Sequence, residues 1–320
     1  MNKKGYVILD RNLPLEMVRV TEAAAIASYS LMGRGDEKQA DFMAVQAMRS
    51  SLNNLDINGT VVIGEGERDD APMLYIGEKV GTGNGPHIDI ALDPLEGTTI
   101  LATGGNNSLS VIAMTEQGKF LNAPDTYMDK IAIGFDFEEQ IVDLDISPKE
   151  NLKNIAKALK KEIDDLVVVI LDRPRHEELI ARVREAGAKI RLIQDGDVAA
   201  VISTSIPGNN TDIYMGIGGA PEGVLAAAAL CTTGGQICTR LIMRNEIEKQ
   251  RANKLGIMDF NKKYFLNDLA SGDVMFAATG VTDGFMLKGV HITQNGAITH
   301  SMAMRASTGT IRFIETRHRF

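Results

Sequence analysis

Residues 88–99 read IDIALDPLEGTT, and the fold can be read outward from this stretch. Apolar Ile88, Ile90 and Leu92 alternate with Asp89 and Ala91, the period of a buried strand, and the alternation stops at Asp93-Pro94. Carboxylates begin where the strand ends. Pro94 fixes the chain direction, Glu96 follows shortly after, and Gly97-Thr98-Thr99 supplies a small turn with two hydroxyls and closely spaced N–H groups. Hard divalent cations take carboxylate and carbonyl oxygens, and oriented N–H groups at a turn or helix start favour an anion. One such turn can hold a metal ion and a phosphate together. Asp-Pro or Gly-Thr alone would signify a strand end and a helix cap; the whole run DPLEGT points to chemistry.

The residues before it lead to the same end. Residues 60–63 (TVVI) predict a strand that stops at Gly64-Glu65-Gly66-Glu67-Arg68-Asp69-Asp70, where the glycines flanking Glu65 let the backbone turn sharply and aim that carboxylate over the strand end. Adjacent strands that end together gather their terminal side chains. Further upstream, residues 15–32 carry apolar side chains at helical spacing as far as Gly33, and Asp36 with Gln39 predicts a capping box for a second helix. On that helix Val45, Met48 and Leu52 form an apolar stripe with Asp41 in register. A carboxylate facing a core needs a partner, in a cap, an ion pair or a functional contact.

Downstream, 109–114, 131–135 and 140–144 predict strands, and Ser147-Pro148 opens a helix over 151–159. A boundary there divides the chain into an N-terminal metal-site subdomain, 1–147, and a C-terminal α/β substrate-binding subdomain, 148–320. Strands over 166–171, 189–193 and 213–217 alternate with helices over 177–186, 197–202 and 224–231. Their strand ends carry Arg173-Pro174-Arg175-His176, suited to phosphate oxygens, and Asp195-Gly196-Asp197, suited to sugar hydroxyls. The glycine-rich approach 218–223 permits tight contact with a ligand and places Pro221 and Glu222 in a first helical turn. A polar helix over 245–255 and strands over 274–278, 289–293, 297–306 and 310–316 complete the pattern.

With 320 residues, 44% of them hydrophobic, the chain can bury a sizeable core. Charges run throughout MNKKGYVILDRNLPLEMV and no long apolar run follows, which predicts a soluble, cytoplasmic protein without a membrane span. A net charge of −8 argues against a nucleic-acid or anionic-membrane surface. It suits a phosphate site only where bound cations invert the local field. Cys231 and Cys238 match neither a zinc nor a redox spacing and read as reduced bystanders.

DPLEGTT resembles the metal-site signature of the lithium-sensitive sugar and inositol phosphatases. GRGD (33–36), VIGEGERDDAPMLYIGEKVGTG (62–83), LNAPDTYMDK (121–130), PRH (174–176), DGDVAA (195–200), YMGIGGAPEGV (214–224) and FAATGVTDG (276–284) extend the similarity to one branch, the class II fructose-1,6-bisphosphatases. The resemblance implies an α/β (α+β) fold, a layered α/β/α/β/α sandwich of two subdomains with the active site between them. It implies Mn²⁺ or Mg²⁺ held by Asp41, Glu65, Asp93, Glu96 and Glu222 with the Leu95 carbonyl. It also implies a catalytic pair, Asp41 with Thr98, in which the threonine hydroxyl orients and helps deprotonate the attacking water. Gly97, Thr98 and Thr99 would meet the reacting phosphate; Tyr127, Arg173, Arg175, Asp195, Gly196 and Asp197 would hold the sugar and its second phosphate. The implied reaction takes the 1-phosphate from fructose 1,6-bisphosphate, giving fructose 6-phosphate and phosphate, in a homo-oligomer, dimer or tetramer. Sedoheptulose 1,7-bisphosphate as second or main substrate is the alternative.

The sequence departs from close relatives at Glu37, where a lysine follows GRGD in them, and at Arg173, where many carry lysine. Arginine's planar fork is not lysine's point charge. A dinucleotide-binding reading of Gly216, Gly218 and Gly219 is weakened by Pro221 in place of the third glycine and by the lack of an acidic residue ending the strand 236–242.

Overall fold

The computed structural model describes residues 9–66, 72–134 and 137–320. The chain forms two compact units, one running to Leu121 and resuming at Ser271–Phe320, the other Asn122–Ala270. Position 147/148 lies inside the second unit. The strand just before it sits between two others of that unit's sheet, and the last strands of the chain return to the first sheet.

In chain order the first unit begins with α1 (Leu13–Tyr29), α2 (Glu37–Leu52), β1 (Asn58–Ile63), β2 (Lys79–Val80), β3 (His87–Glu96), α3 (Thr98–Thr103) and β4 (Leu109–Glu116). The second unit comprises β5 (Tyr127–Ile133), α4 (Pro148–Leu159), β6 (Val167–Leu171), α5 (Glu177–Ala186), β7 (Lys189–Ile193), α6 (Asp197–Ser203), β8 (Ile213–Gly219), α7 (Ala220–Thr233), β9 (Gln236–Ile242), α8 (Glu246–Lys254), β10 (Lys263–Phe265) and α9 (Leu266–Leu269). The first unit then closes with β11 (Met275–Gly280), β12 (His291–Thr293), β13 (Gly296–Arg305) and β14 (Thr310–Arg319).

Among the described residues the first unit carries an eight-stranded sheet in the order β12-β13-β11-β4-β3-β1-β2, with β14 paired to β13. Helices α1 and α2 pack on each other, and α1 covers β4, β11 and β13. The expected stripe on α2 is the buried one, with Met48 and Leu52 fully inside, and Asp36 caps the helix by accepting from Gln39 N at 3.0 Å. β1 and β3 run parallel with Ile63 opposite Ala91. Glu65 and Asp93, each two residues further on, therefore lie at the same end of this parallel pair.

β3 does not stop at Asp93-Pro94 as expected but continues to Glu96 through a bulge. Its register on β4 passes from Asp93 opposite Val111 to Glu96 opposite Leu109, so it gains a residue where Pro94 has no N–H to donate. The Asp93 carboxylate accepts from Leu95 N at 3.0 Å and closes the turn around the proline.

The second unit carries a six-stranded sheet among the described residues, ordered β10-β9-β5-β8-β6-β7. β6 lies parallel to both β7 and β8; the other pairs are antiparallel. Leu152 and Ile155 of α4 and Ile180 and Val183 of α5 fill one core with Val168, Ile170 and Ile213. The strand expected over 140–144 is a loop instead, because side chains take its backbone bonds. Ile141 N donates to Gln236 Oε1 and Asp143 N to Asn151 Oδ1, both at 3.0 Å. The strand expected to reach Phe135 ends at Ile133; Phe135, like the charged residues 67–70 of the predicted loop, lies outside the described residues. The fold is mixed α/β, two sheets flanked by helices. No helix among the described residues is long and apolar enough to cross a membrane.

Candidate active site

In the first unit the parallel pair β1–β3 sets the geometry. Glu65 follows β1, Asp93 sits at the β3 bulge, and Asp41 approaches from the half-buried side of α2. Burial, then the charge of Asp93, then that of Asp41 push the Glu65 carboxyl up to about 9. Burial also raises the Asp41 carboxyl above its ordinary range. Glu96 is 4% exposed, and Leu95 beside it is buried. The backbone carbonyl of Glu96 accepts from Ser108 Oγ at 2.9 Å, which anchors the end of β3 to the start of β4.

Gly97, left-handed at φ 81°, turns the chain from β3 into α3, so that Thr98 and Thr99 open the helix. Thr98 is half-buried and Thr99 exposed. Helices α2 and α3 pack on each other, which brings the elements bearing Asp41 and Thr98 together. No hydrogen bond joins the two side chains among the described residues.

Carboxylates that repel one another in a buried setting want a cation, and this donor set is all oxygen, the chemistry of a hard divalent ion. Among the described residues no group of three or more His, Cys, Asp or Glu is arranged to hold a metal ion. The fit therefore rests on the mutual repulsion of Glu65, Asp93 and Asp41 rather than on a finished coordination cage.

In the second unit a cavity of about 280 Å³ opens at the ends of β5, β6 and β8. Tyr127, Arg173, Arg175, Asp195, Asp197 and Glu222, all singled out from the sequence, line it together with Asp125, Gly218, Gly219 and Arg244. Gly196 is the left-handed residue that starts α6 next to Asp197. His176, buried at 1% exposure, latches the arginine segment to β8. Its Nε2 accepts from Ile217 N at 2.8 Å, and its Nδ1 is 2.7 Å from the Leu171 carbonyl. Burial holds its pKa below the ordinary histidine value, which keeps the ring neutral in this bridge. Arg175 closes the latch on the other side, donating to the Ile217 carbonyl from Nε at 3.1 Å and Nη2 at 2.9 Å.

Lys130 lies beneath the cavity floor, only 1% exposed, paired with Asp197 and donating to the Gly219 carbonyl at 2.9 Å. Removing either member of such a buried pair costs roughly 3–5 kcal/mol, because the other charge is stranded. The glycines of β8 make room for these groups. A Cβ at Gly218 would stand 2.1 Å from Asp197 Oδ2, and one at Gly219 would stand 1.8 Å from Glu222 Oε2.

Glu222 Oε2 is buried with no hydrogen-bond partner among the described residues. Burial, then Asp197, raise that carboxyl, to about 7. A carboxylate is therefore packed against the glycine turn. Asp125 and Arg244 on the cavity wall and Lys130 beneath it are residues that the sequence did not single out. A lysine alternating with apolar residues in 127–133 was the signal for Lys130.

Residues 11–318 match the family model described as bacterial fructose-1,6-bisphosphatase, glpX-encoded. Three curated proteins carry the name D-fructose 1,6-bisphosphatase class 2/sedoheptulose 1,7-bisphosphatase, from Synechococcus elongatus, a Synechococcus species and Trichodesmium erythraeum. Each is 44% identical to this chain over 337 residues, covering 98% of this chain and 97% of the relative. A crystal structure of the extragenic suppressor protein suhB from Bartonella henselae aligns with 61% of this chain and 74% of its own. At 17% identity and a TM-score of 0.34, that likeness is too slight to bear on function.

Proposed function

The chain belongs to the glpX-encoded bacterial fructose-1,6-bisphosphatase family, a family of divalent-metal-dependent phosphoric monoester hydrolases acting on sugar bisphosphates, and on that premise we propose that it is a dual-specificity enzyme. In this reading it removes the 1-phosphate from both fructose 1,6-bisphosphate and sedoheptulose 1,7-bisphosphate. The observation that carries the dual reading is the full-length match to three proteins named for both activities. The narrower expectation, fructose 1,6-bisphosphate alone, has less support.

Asp41, Glu65, Asp93 and Glu96 with the Leu95 carbonyl would hold Mn²⁺ or Mg²⁺, and Glu222, whose buried Oε2 has no hydrogen-bond partner among the described residues, is the carboxylate of the second unit suited to a divalent cation. When bound, the cation would neutralise phosphate charge and lower the pKa of water nearby. The Thr98 hydroxyl would orient the attacking water and accept its proton as its own hydrogen moves toward Asp41. N–H groups of Gly97, Thr98 and Thr99 would receive charge developing on the phosphate oxygens. Tyr127, Arg173, Arg175, Asp195, Gly196 and Asp197 would hold the sugar hydroxyls and the phosphate that does not react.

Rates on fructose 1,6-bisphosphate, sedoheptulose 1,7-bisphosphate and inositol 1-phosphate, measured side by side with Mn²⁺, test this. Both bisphosphates should turn over well and inositol 1-phosphate poorly. Turnover of the fructose substrate alone would restore the narrower reading, and preference for inositol 1-phosphate would overturn both. Arg175, anchored by the Ile217 carbonyl, should act in binding. Arg175→Ala is expected to raise KM with a smaller loss of kcat. An unchanged KM contradicts that role.

A further inference from the structure

Arg244 stands at the rim of the second-unit cavity, just past the end of β9, and nothing in its sequence neighbourhood marks it. Its side chain is 50% exposed, yet its base is built in. Glu248 of α8, whose side chain is only 5% exposed, accepts from Arg244 N and from Arg244 Nε, each at 2.7 Å, and lies 2.5 Å from Nη2. Glu248 is held in turn by Thr126 Oγ1 at 2.8 Å. The Arg244 guanidinium carbon lies 4.4 Å from the centre of the Tyr127 ring, and that of Arg175 lies 4.9 Å from the same ring.

A guanidinium carries five N–H donors in a fixed plane. Glu248 takes the Nε and Nη2 edge, which leaves both hydrogens of Nη1 without a partner among the described residues. Tyr127 fixes the face of the plane. A half-exposed arginine ordinarily loses much side-chain entropy on binding an anion; here the buried carboxylate and the ring have already ordered it.

We propose that Arg244 binds the non-reacting phosphate of the sugar bisphosphate and that Glu248 is its positioning residue. This rests on the functional reading above and adds a residue to it. Arg175 and Arg244 grip the same Tyr127 ring, one held by the Ile217 carbonyl and the other by Glu248, so the second phosphate meets two forks aimed by independent anchors. The group they recognise is a dianionic phosphate monoester on a sugar carbon. A neutral sugar end gains nothing from them. Helix α8 thereby acquires a role.

Inhibition by fructose 6-phosphate, which carries this phosphate and lacks the reacting one, provides the test. Each missing charge-assisted hydrogen bond is expected to weaken binding about tenfold or more. In Arg244→Ala the inhibition constant of fructose 6-phosphate and the KM for fructose 1,6-bisphosphate should rise together, with a smaller loss of kcat. Arg244→Gln, which keeps a hydrogen-bonding side chain of similar reach, checks the same point should the alanine variant fold poorly. Glu248→Gln keeps shape and loses charge; it should raise the same two constants by less than Arg244→Ala does. An inhibition constant unchanged in both Arg244 variants, while the wild type hydrolyses the bisphosphate, overturns this inference alone. A wild type that leaves sugar bisphosphates intact overturns the functional reading and this inference with it.

Discussion

Thr98→Ala is expected to lower kcat by roughly a hundredfold or more, the scale of general-base assistance. Serine keeps the hydroxyl, so Thr98→Ser should retain measurable activity. Asp41→Asn should match the alanine variant, and the double variant should be little worse than either, since residues that act as one unit do not add. The geometry sets the stakes. Thr98 opens α3 directly after the left-handed Gly97, α3 packs on the helix that bears Asp41, and burial already raises the Asp41 carboxyl. An asparagine there removes a charge that is costly to bury, so the loss of activity should come without a loss of stability. The measurement is kcat for the four proteins at saturating Mn²⁺ and substrate, with circular dichroism as the folding control. A fully active Thr98→Ala would leave water activation to the cation alone.

Removing divalent cations should abolish hydrolysis, and excess EDTA followed by Mn²⁺ or Mg²⁺ should show the loss and the recovery. The carboxylates predict a second, independent signature in stability. Glu65 titrates near 9 in the folded chain and near 4.5 as an unperturbed side chain, so without a cation the folded state binds the extra proton. Stability that depends on this proton is fully present below the unperturbed value and is lost as pH rises through that window. A bound divalent ion replaces the proton and should flatten the decline. Melting temperatures measured across this range with EDTA and with Mn²⁺ would show two different slopes; identical slopes, together with full activity in EDTA, would count against a metal at these carboxylates.

Much of this was legible in the sequence, for physical reasons. Parallel strands read as apolar runs with abrupt ends, and the ends of β1, β3, β6 and β8 carry the singled-out residues. The helix over 177–186 announced itself through its period, and the run over 151–159 through Ser147-Pro148, where Ser147 and Glu150 form both halves of a capping box and the helix begins at Pro148. The failures have causes too. Period alone could not show that Gln236 and Asn151 would take the backbone bonds of 140–144. Pro94 suggested the end of a strand, whereas a bulge absorbs it and carries Glu96 onward in the sheet. Arg244 and Glu248 stayed hidden because their pairing is one helical turn in an exposed, polar stretch, a pattern that usually marks solvated surface. Their joint meaning depends on Tyr127, more than a hundred residues earlier.

The first unit is discontinuous, and this bears on how the protein is made. β4 takes its second neighbour, β11, from residues that leave a ribosome last, whereas every strand of the other sheet has emerged once Ala270 has. During synthesis the contiguous unit can complete its hydrogen bonding while β3 and β4 still wait, with the edge of β4 bare. Leu109–Thr115, buried throughout in the finished chain, is then the stretch most open to wrong pairing. A nascent chain stalled once Ala270 has cleared the ribosome would hold a finished insert between the strands of an unfinished sheet.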